Sequence, residues 1–195
     1  HELAAAAARA PSGGNLQPWH VHIVAGDAMA RLKADMAAKL ARGETETPAY
    51  PVYPPALDDP YRTRRSDIGE ALYGHLGIPR ADRDARRRWF ADNFRFFGAP
   101  AAFFCTVDRA MGPPQWSDLG MYLQTLMLLA VDAGLATCPQ ECWAMYPETV
   151  GRLLALPAER MLFCGVAIGF EDVAAPANAL RAGRADTAEW LSVVA

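Results

Sequence analysis

Residues 116–133 constrain the fold more than any other stretch of the chain. Leu119, Tyr122, Leu123, Leu126, Met127 and Leu129 recur at helical spacing and leave that segment little polar face. A helix apolar on most sides has to be covered on most sides, either in a core or at an interface between subunits. No run of 18 or more apolar residues occurs, so a membrane-spanning helix is not the cover it uses.

Composition narrows which cover is needed. Apolar residues make up 52% of the 195 positions, and with Gly counted in and Tyr out the share exceeds the roughly 45–50% usual for soluble domains. Alanine alone supplies 38 residues, which favours helix and adds little core volume; the alternative reading of the surplus is a subunit interface. The length suits one domain spanning residues 1–195, since single domains run to roughly 100–200 residues. A net charge of −3 excludes disorder and a polyanion-binding surface as starting expectations. His1-Glu2-Leu3 and the five alanines that follow lack the basic flank and apolar length of a signal peptide. Cys105, Cys138, Cys142 and Cys164 form no Cys-x-x-Cys pair and lie in apolar surroundings, as reduced, buried thiols of a cytoplasmic protein would.

Along the chain, residues 4–10 read as a helix end stopped by Pro11 and the Gly13-Gly14 pair, and residues 19–25 alternate like a strand. Asp27 is placed to cap a helix in which Met29, Leu32, Met36 and Leu40 recur, closed by Gly43. Residues 44–63 carry five prolines with Tyr50, Tyr53 and Tyr61, and are predicted to form a covering loop. Helices are predicted over 66–76 and 81–97. The arginines beside the second, at 80, 83, 86, 87 and 88, read as a solvated face and not a nucleic-acid contact, because Asp82, Asp84 and Asp92 interleave with them. Residues 99–107 and 161–168 are buried strands, Pro139 interrupts the chain over 138–143, and 148–156 is a short helix. Residues 171–195 read as an arm that finds no place in a compact core before Trp190-Leu191. Three strands and about five helices without regular alternation predict an α+β fold.

Chemistry concentrates in few places. His20 and His22 have chelation spacing on a strand, but no second cluster of ligands lies near in sequence, so no metal site is predicted. The Walker phosphate loop, the Gly-x-Gly-x-x-Gly fingerprint and the Gly-x-Ser-x-Gly elbow are all missing. Pro11-Ser12-Gly13-Gly14-Asn15 gathers backbone N–H groups, a hydroxyl and an amide in one turn, which suits an anion or a polar ring edge, although such corners also occur as plain turns.

The ten residues from Ala10 through Pro11-Ser12-Gly13-Gly14-Asn15-Leu16-Gln17-Pro18 to Trp19, followed by an alternating strand, closely resemble the flavin-binding turn of the nitroreductase family of FMN enzymes. Three more segments agree in order and spacing: Asn93-Phe94 through Phe97-Gly98-Ala99-Pro100 into a strand; Asp118-Leu119-Gly120 with Gly134-Leu135-Ala136-Thr137-Cys138-Pro139; and Gly165-Val166-Ala167-Ile168-Gly169-Phe170 before a basic tail. The Pro/Tyr loop with Tyr61-Arg62 is most similar to the nitrobenzoate-reductase-like branch.

That resemblance implies a three-layer α+β fold, its central antiparallel-type sheet flanked by helices, in a homodimer interlocked through a long central helix and exchanged termini. It implies FMN at the subunit interface and NAD(P)H as co-substrate in a two-step cycle reducing a small nitroaromatic or similar conjugated acceptor. Matched residue by residue, Pro11, Ser12, Gly13 and Asn15 contact FMN across the interface, Asn93 reaches the flavin ring edge, and Pro139, Gln140 and Glu141 bring a backbone N–H, that of Glu141, to flavin N5. Arg184, with Arg181, meets the phosphate, which guanidinium answers bidentately. No side chain is assigned a catalytic role, since the flavin carries the chemistry. Departures from the pattern are Phe96 where a lysine is common, Cys142 in place of glycine, the wider Arg181/Arg184 spacing, and an arginine-rich segment that in the family precedes the position of His1. The same resemblance also contains reductive dehalogenation, flavin fragmentation and a non-enzymatic flavin-binding dimer as alternatives.

Overall fold

Four antiparallel strands build the sheet on which most of the chain rests, in a computed structural model that describes residues 1–194. Ala195, the last residue of the predicted arm, lies outside the described residues. The strands are β1 (His20–Ala25), β2 (Ala101–Asp108), β3 (Ala136–Gln140) and β4 (Arg160–Gly169), in the order β1-β2-β4-β3. β2 and β4 are central and apolar along nearly their whole length, the pattern of strands covered on both faces. Phe103, Cys105, Val107, Cys164, Val166 and Ile168 point to one face, where α1 (Glu2–Ala7) and α5 (Pro113–Asp132) pack. Ala102, Phe104, Leu162 and Ala167 point to the other, against α2 (Gly26–Ala41), α6 (Pro147–Leu154) and the 3-10 turns Asp92–Gly98 and Glu141–Met145. Helix, sheet and helix make the three-layer α+β arrangement.

Several boundaries differ from the sequence expectation, each for a physical reason. A fourth strand, β3, occupies the stretch read as an interruption. Pro139 lies on this edge strand, where its missing N–H need not weaken a central ladder. The helix expected over 81–97 ends early: α4 spans Arg83–Ala91, and the chain tightens into the turn Asp92–Gly98, with Phe96 and Phe97 in the left-handed region at φ 55° and 49°. Burial of Phe94 and Phe96 holds that conformation. Asp27 lies in the first turn of α2 but does not cap it; Ala25 is the N-cap, without a side-chain hydrogen bond.

The chain divides into two compact units. The first comprises His1–Pro55 and Arg87–Glu171 and contains the sheet; the second comprises Ala56–Arg86 with the stretch from Asp172 onward. In the second, α3 (Tyr61–His75) begins earlier than the periodicity predicts and lies against the short turn Pro176–Ala179. An Arg64–Glu189 ion pair at 2.6 Å joins the tail to that helix.

Residues 44–50, the first part of the proline-rich stretch, are strapped to the first unit. Ala49 N–H donates to the Ala144 carbonyl at 2.8 Å, and the Tyr50 hydroxyl donates to the Phe163 carbonyl while its ring packs on Trp116. Glu46 fastens the strap. Its carboxylate, 2% exposed, accepts from Glu148 N–H at 2.7 Å, from Thr149 N–H and from the Thr149 hydroxyl, and pairs with Lys39 at 3.1 Å. It therefore satisfies the N-terminal donors of α6. Burial alone would raise its pKa; the bonds from Thr149, Lys39 and Glu148 outweigh that and hold it below the usual carboxylate value.

Because this folded-state value is depressed, the stabilisation is complete above the ordinary carboxylate range and is lost as pH falls through the lowered value. Glu46→Gln is predicted to lose about 2 kcal/mol, as for hydrogen bonds to a charged group. Urea melts of the two proteins should differ at pH 7 and converge as the pH is taken below that range.

Candidate functional site

The glycine-rich corner forms as a single 3-10 turn, Gly13–Asn15, with Gly14, Asn15 and Gln17 at φ 58°, 57° and 49°. Asn is among the few side chains that enter this region readily, while a left-handed glutamine needs outside support. That support includes the Ser12 hydroxyl, which accepts from Gln17 N–H at 2.9 Å, and the Ser12 carbonyl, which accepts from Asn15 N–H at 2.9 Å. Gly13 N–H donates to Asp118 Oδ1 at 3.1 Å. Pro11, Gly13, Gly14 and Asn15 are exposed, and a Cβ at Gly13 or Gly14 would meet nothing within 4 Å. The turn thus offers an open backbone surface that a flat ligand can approach.

A second cluster forms where β3 ends. Gln140, 2% exposed, donates from Nε2 to the Asn93 carbonyl at 2.8 Å and to Asn93 Oδ1 at 3.2 Å, while its Oε1 accepts from Trp143 Nε1 at 3.4 Å. Asn93 Nδ2 in turn donates to the Phe90 carbonyl at 2.9 Å. Asn93 and Gln140, 47 residues apart, are brought together, with the Gln140 side chain as the clip between them while its backbone pairs with β4 opposite Gly165. Pro139 and Glu141 are exposed on either side. Glu141 opens the 3-10 turn, so its N–H belongs to those first-turn donors that have no partner inside the helix.

Lys33 escaped sequence reasoning. Its ammonium donates to the Ala99 carbonyl at 3.1 Å and lies 5.8 Å from the Phe96 ring centroid. Burial, followed by the nearby Arg95, lowers its pKa. Asp118 stands in a segment that carries the resemblance but receives no role from it; a carboxylate inside the most apolar helix is what singles it out.

Arg181 and Arg184 lie in the second unit, exposed. Arg181 donates to the Asn178 and Leu180 carbonyls, and Arg184 to those of Ala182 and Gly183. The same unit holds an open groove of about 340 Å³ lined by Arg62, Arg65, Ser66, Gly69, Tyr73 and Arg86 among others. Arg86 is held by both Glu70 oxygens at 2.8 and 2.9 Å and stacks 4.1 Å above Tyr73.

All four cysteines are free. Burial pushes the Cys142 and Cys164 thiols up to about 12 and raises those of Cys105 and Cys138. Such thiols are poor nucleophiles. Among the described residues no group of three or more His, Cys, Asp or Glu is placed to hold a metal ion, and no helix is long and apolar enough to cross a membrane.

Comparison with known proteins places this geometry in context. The nitroreductase family model matches residues 1–170. The chain is 35% identical over 194 residues to nitrobenzene nitroreductase of Ectopseudomonas oleovorans, covering 99% of this chain and 86% of that protein. In structure it is similar to the FMN and NADPH-dependent nitroreductase NfnB from sphigopyxis sp. strain HMH, with TM-score 0.96 and 45% identity, covering 100% of this chain and 87% of the other. It is also similar to the FMN-dependent NfnB of Mycobacterium smegmatis in complex with NADPH, with TM-score 0.94 and 32% identity over 100% and 86% of the two chains.

The clip between Gln140, Asn93 and Trp143 is testable by itself. Gln140→Leu preserves bulk but leaves two acceptors and an indole N–H without their partner. The predicted loss is about 1–3 kcal/mol, the cost of leaving one fully buried group, the Trp143 N–H, unsatisfied while half-buried Asn93 contributes less. Urea melts read this directly, and a loss below about 0.5 kcal/mol contradicts the clip.

Proposed function

The chain belongs to the nitroreductase family, and from that premise we propose that it is an FMN-dependent oxidoreductase that uses NAD(P)H to reduce nitroaromatic or similar conjugated acceptors. The observation that carries this reading is the full-length agreement of its fold with that of an FMN and NADPH-dependent enzyme, at 45% identity. The residues present fit the cofactor. An open glycine turn admits a planar ring against the backbone, and an edge strand leads into a turn that starts with an N–H needing a partner. When bound, FMN supplies the redox chemistry, accepting a hydride equivalent from NAD(P)H and delivering reducing equivalents to the acceptor that takes its place.

The protein's own part is binding and orientation. Pro11, Ser12, Gly13 and Asn15 form the turn against FMN, and Asn93 reaches the ring edge. Pro139, Gln140 and Glu141 would contribute backbone, with the Glu141 N–H as the donor to flavin N5. Arg184, helped by Arg181, answers the phosphate with bidentate guanidinium geometry. A hydrogen-bond donor fixed beside the ring stabilises the charge that grows on it during reduction, and preset donors do this better than water. Residues 1–195 act as one FMN-binding domain in this reading, with the remainder of the 44–63 loop as its cover. Four free cysteines, three of them buried, support a cytoplasmic location in this reading.

A second copy of the chain completes the arrangement. α5 buries Leu119, Tyr122, Leu123, Leu126 and Ala130 within its own subunit, yet Met121, Leu128 and Val131 form an apolar stripe on its other side, Leu128 and Val131 being 61% and 65% exposed. Covering each such side chain is worth about 1.5–3 kcal/mol. A homodimer seam along this stripe explains why the helix is apolar nearly all round.

The purified protein is predicted to be yellow with about one FMN per chain, and to oxidise NADPH in step with added nitrobenzene; colourless protein that takes up no added FMN rules the reading out. Leu128→Glu is predicted to convert a dimer to a monomer in sedimentation velocity and to lose bound FMN together with the partner. A variant that stays dimeric with full flavin content removes α5 from the seam.

A further inference from the structure

We propose that Asp118 is a positioning residue that presets the flavin-binding turn by holding Gly13 in place; this rests on the cofactor reading above. Asp118 lies in the second turn of α5 and is 3% exposed. One oxygen accepts the Gly13 N–H at 3.1 Å; the other is buried with no hydrogen-bond partner among the described residues. A carboxylate in apolar surroundings with a single neutral donor is a poor stabiliser, and an apolar residue of similar size serves a core better. Leu119 and Leu123 show what this helix buries elsewhere at no such penalty. The carboxylate at 118 therefore calls for a role other than stability.

The turn supplies that role. Its other hydrogen bonds are local, between Ser12 and Asn15, Ser12 and Gln17, and Gly13 and Leu16. Those bonds shape the turn without fixing where it lies. The Asp118 bond spans 105 residues and ties it to the central helix. One helical turn further on, Tyr122 anchors the chain on both sides of the corner: its hydroxyl donates to the Ala4 carbonyl at 3.1 Å and its ring stacks on Trp19 at 5.1 Å. Residues 118 and 122 are four apart and share a helix face. One face of α5 thus holds the segment before the turn, the turn itself and the segment after it. Gly14, Asn15 and Gln17, all left-handed, depend on such external restraint to stay in one conformation before a ligand arrives.

The hydrogen-bond acceptor, not the charge, is what the geometry uses, and this separates two substitutions. Asp118→Leu puts a somewhat larger apolar side chain in place of the undersatisfied carboxylate and releases Gly13 N–H. Asp118→Asn keeps an oxygen for Gly13. With apoprotein, FMN affinity is read by quenching of free FMN fluorescence, and exchange of the Gly13 amide and its neighbours by hydrogen–deuterium exchange. Asp118→Leu is predicted to weaken FMN binding about tenfold or more and to speed Gly13 exchange by a similar factor, with a thermal midpoint equal to or above wild type. Asp118→Asn is predicted to stay within about threefold of wild type on both readouts. If leucine disturbs folding, Asp118→Ala makes the same contrast with asparagine without added bulk. A leucine or alanine variant within about twofold of wild type on both readouts overturns the proposal, as does an asparagine variant as impaired as the apolar ones. Wild-type apoprotein that takes up no FMN overturns the cofactor reading instead, and Gly13 exchange still reports on the hydrogen bond.

Discussion

Trp143 fits beside β4 only because residue 165 has no side chain. A Cβ there would lie 2.5 Å from the indole Cδ1 and 3.2 Å from Phe104. In the space so left, the indole is fully buried, stacked on Phe96 at 4.8 Å and met edge-on by Phe94 and Phe104 at 5.2 and 5.3 Å. Its Nε1 then reaches Gln140, whose amide holds Asn93. A missing methyl group in the sheet therefore fixes an aromatic stack, the stack fixes the left-handed turn at Phe96 and Phe97, and the turn fixes the two segments proposed to meet the flavin ring. Packing of this density transmits a small change in shape over several residues.

α5 plays the corresponding part on the opposite face of the sheet. Its inward residues fill the core with Phe103, Cys105 and Val107, and its first turns hold the corner that leads into β1. Its outward residues stay apolar and uncovered within one subunit. A helix with these two faces couples the proposed cofactor turn to the proposed subunit seam through a rigid element.

Much of this was legible in the sequence, and the parts that were not share a cause. The apolar periodicity of 116–133 foretold a helix that needs cover on both sides, and the alternation at 19–25 with the buried runs at 99–107 and 161–168 located three of the four strands. β3 was hidden by Pro139, because propensity does not reveal that a strand will lie at a sheet edge. The break after Ala91 is hidden because Phe90, Phe94 and Phe97 recur at helical spacing although the chain there tightens into a turn. Of the site, the glycine corner was visible as a local word, Pro11 to Asn15, while the Gln140–Asn93 clip and the Asp118–Gly13 bond join residues 47 and 105 apart. Contacts of that range follow from the packing of the sheet and carry no local signature. The strap at Glu46 was read as part of a loop for the same reason: its partners are the N-terminus of α6 and Lys39.

The central claim is that one bound flavin is reduced by a nicotinamide and then reoxidised by a nitroaromatic, on a site this chain and its partner shape. Rapid mixing under anaerobic conditions separates the two halves. The account predicts that NADPH or NADH alone bleaches the visible flavin absorbance, and that nitrobenzene restores it in a second, separate mixing after the nucleotide has been removed. Flavin that stays oxidised with either nicotinamide, or reduced flavin that nitrobenzene leaves bleached, contradicts it.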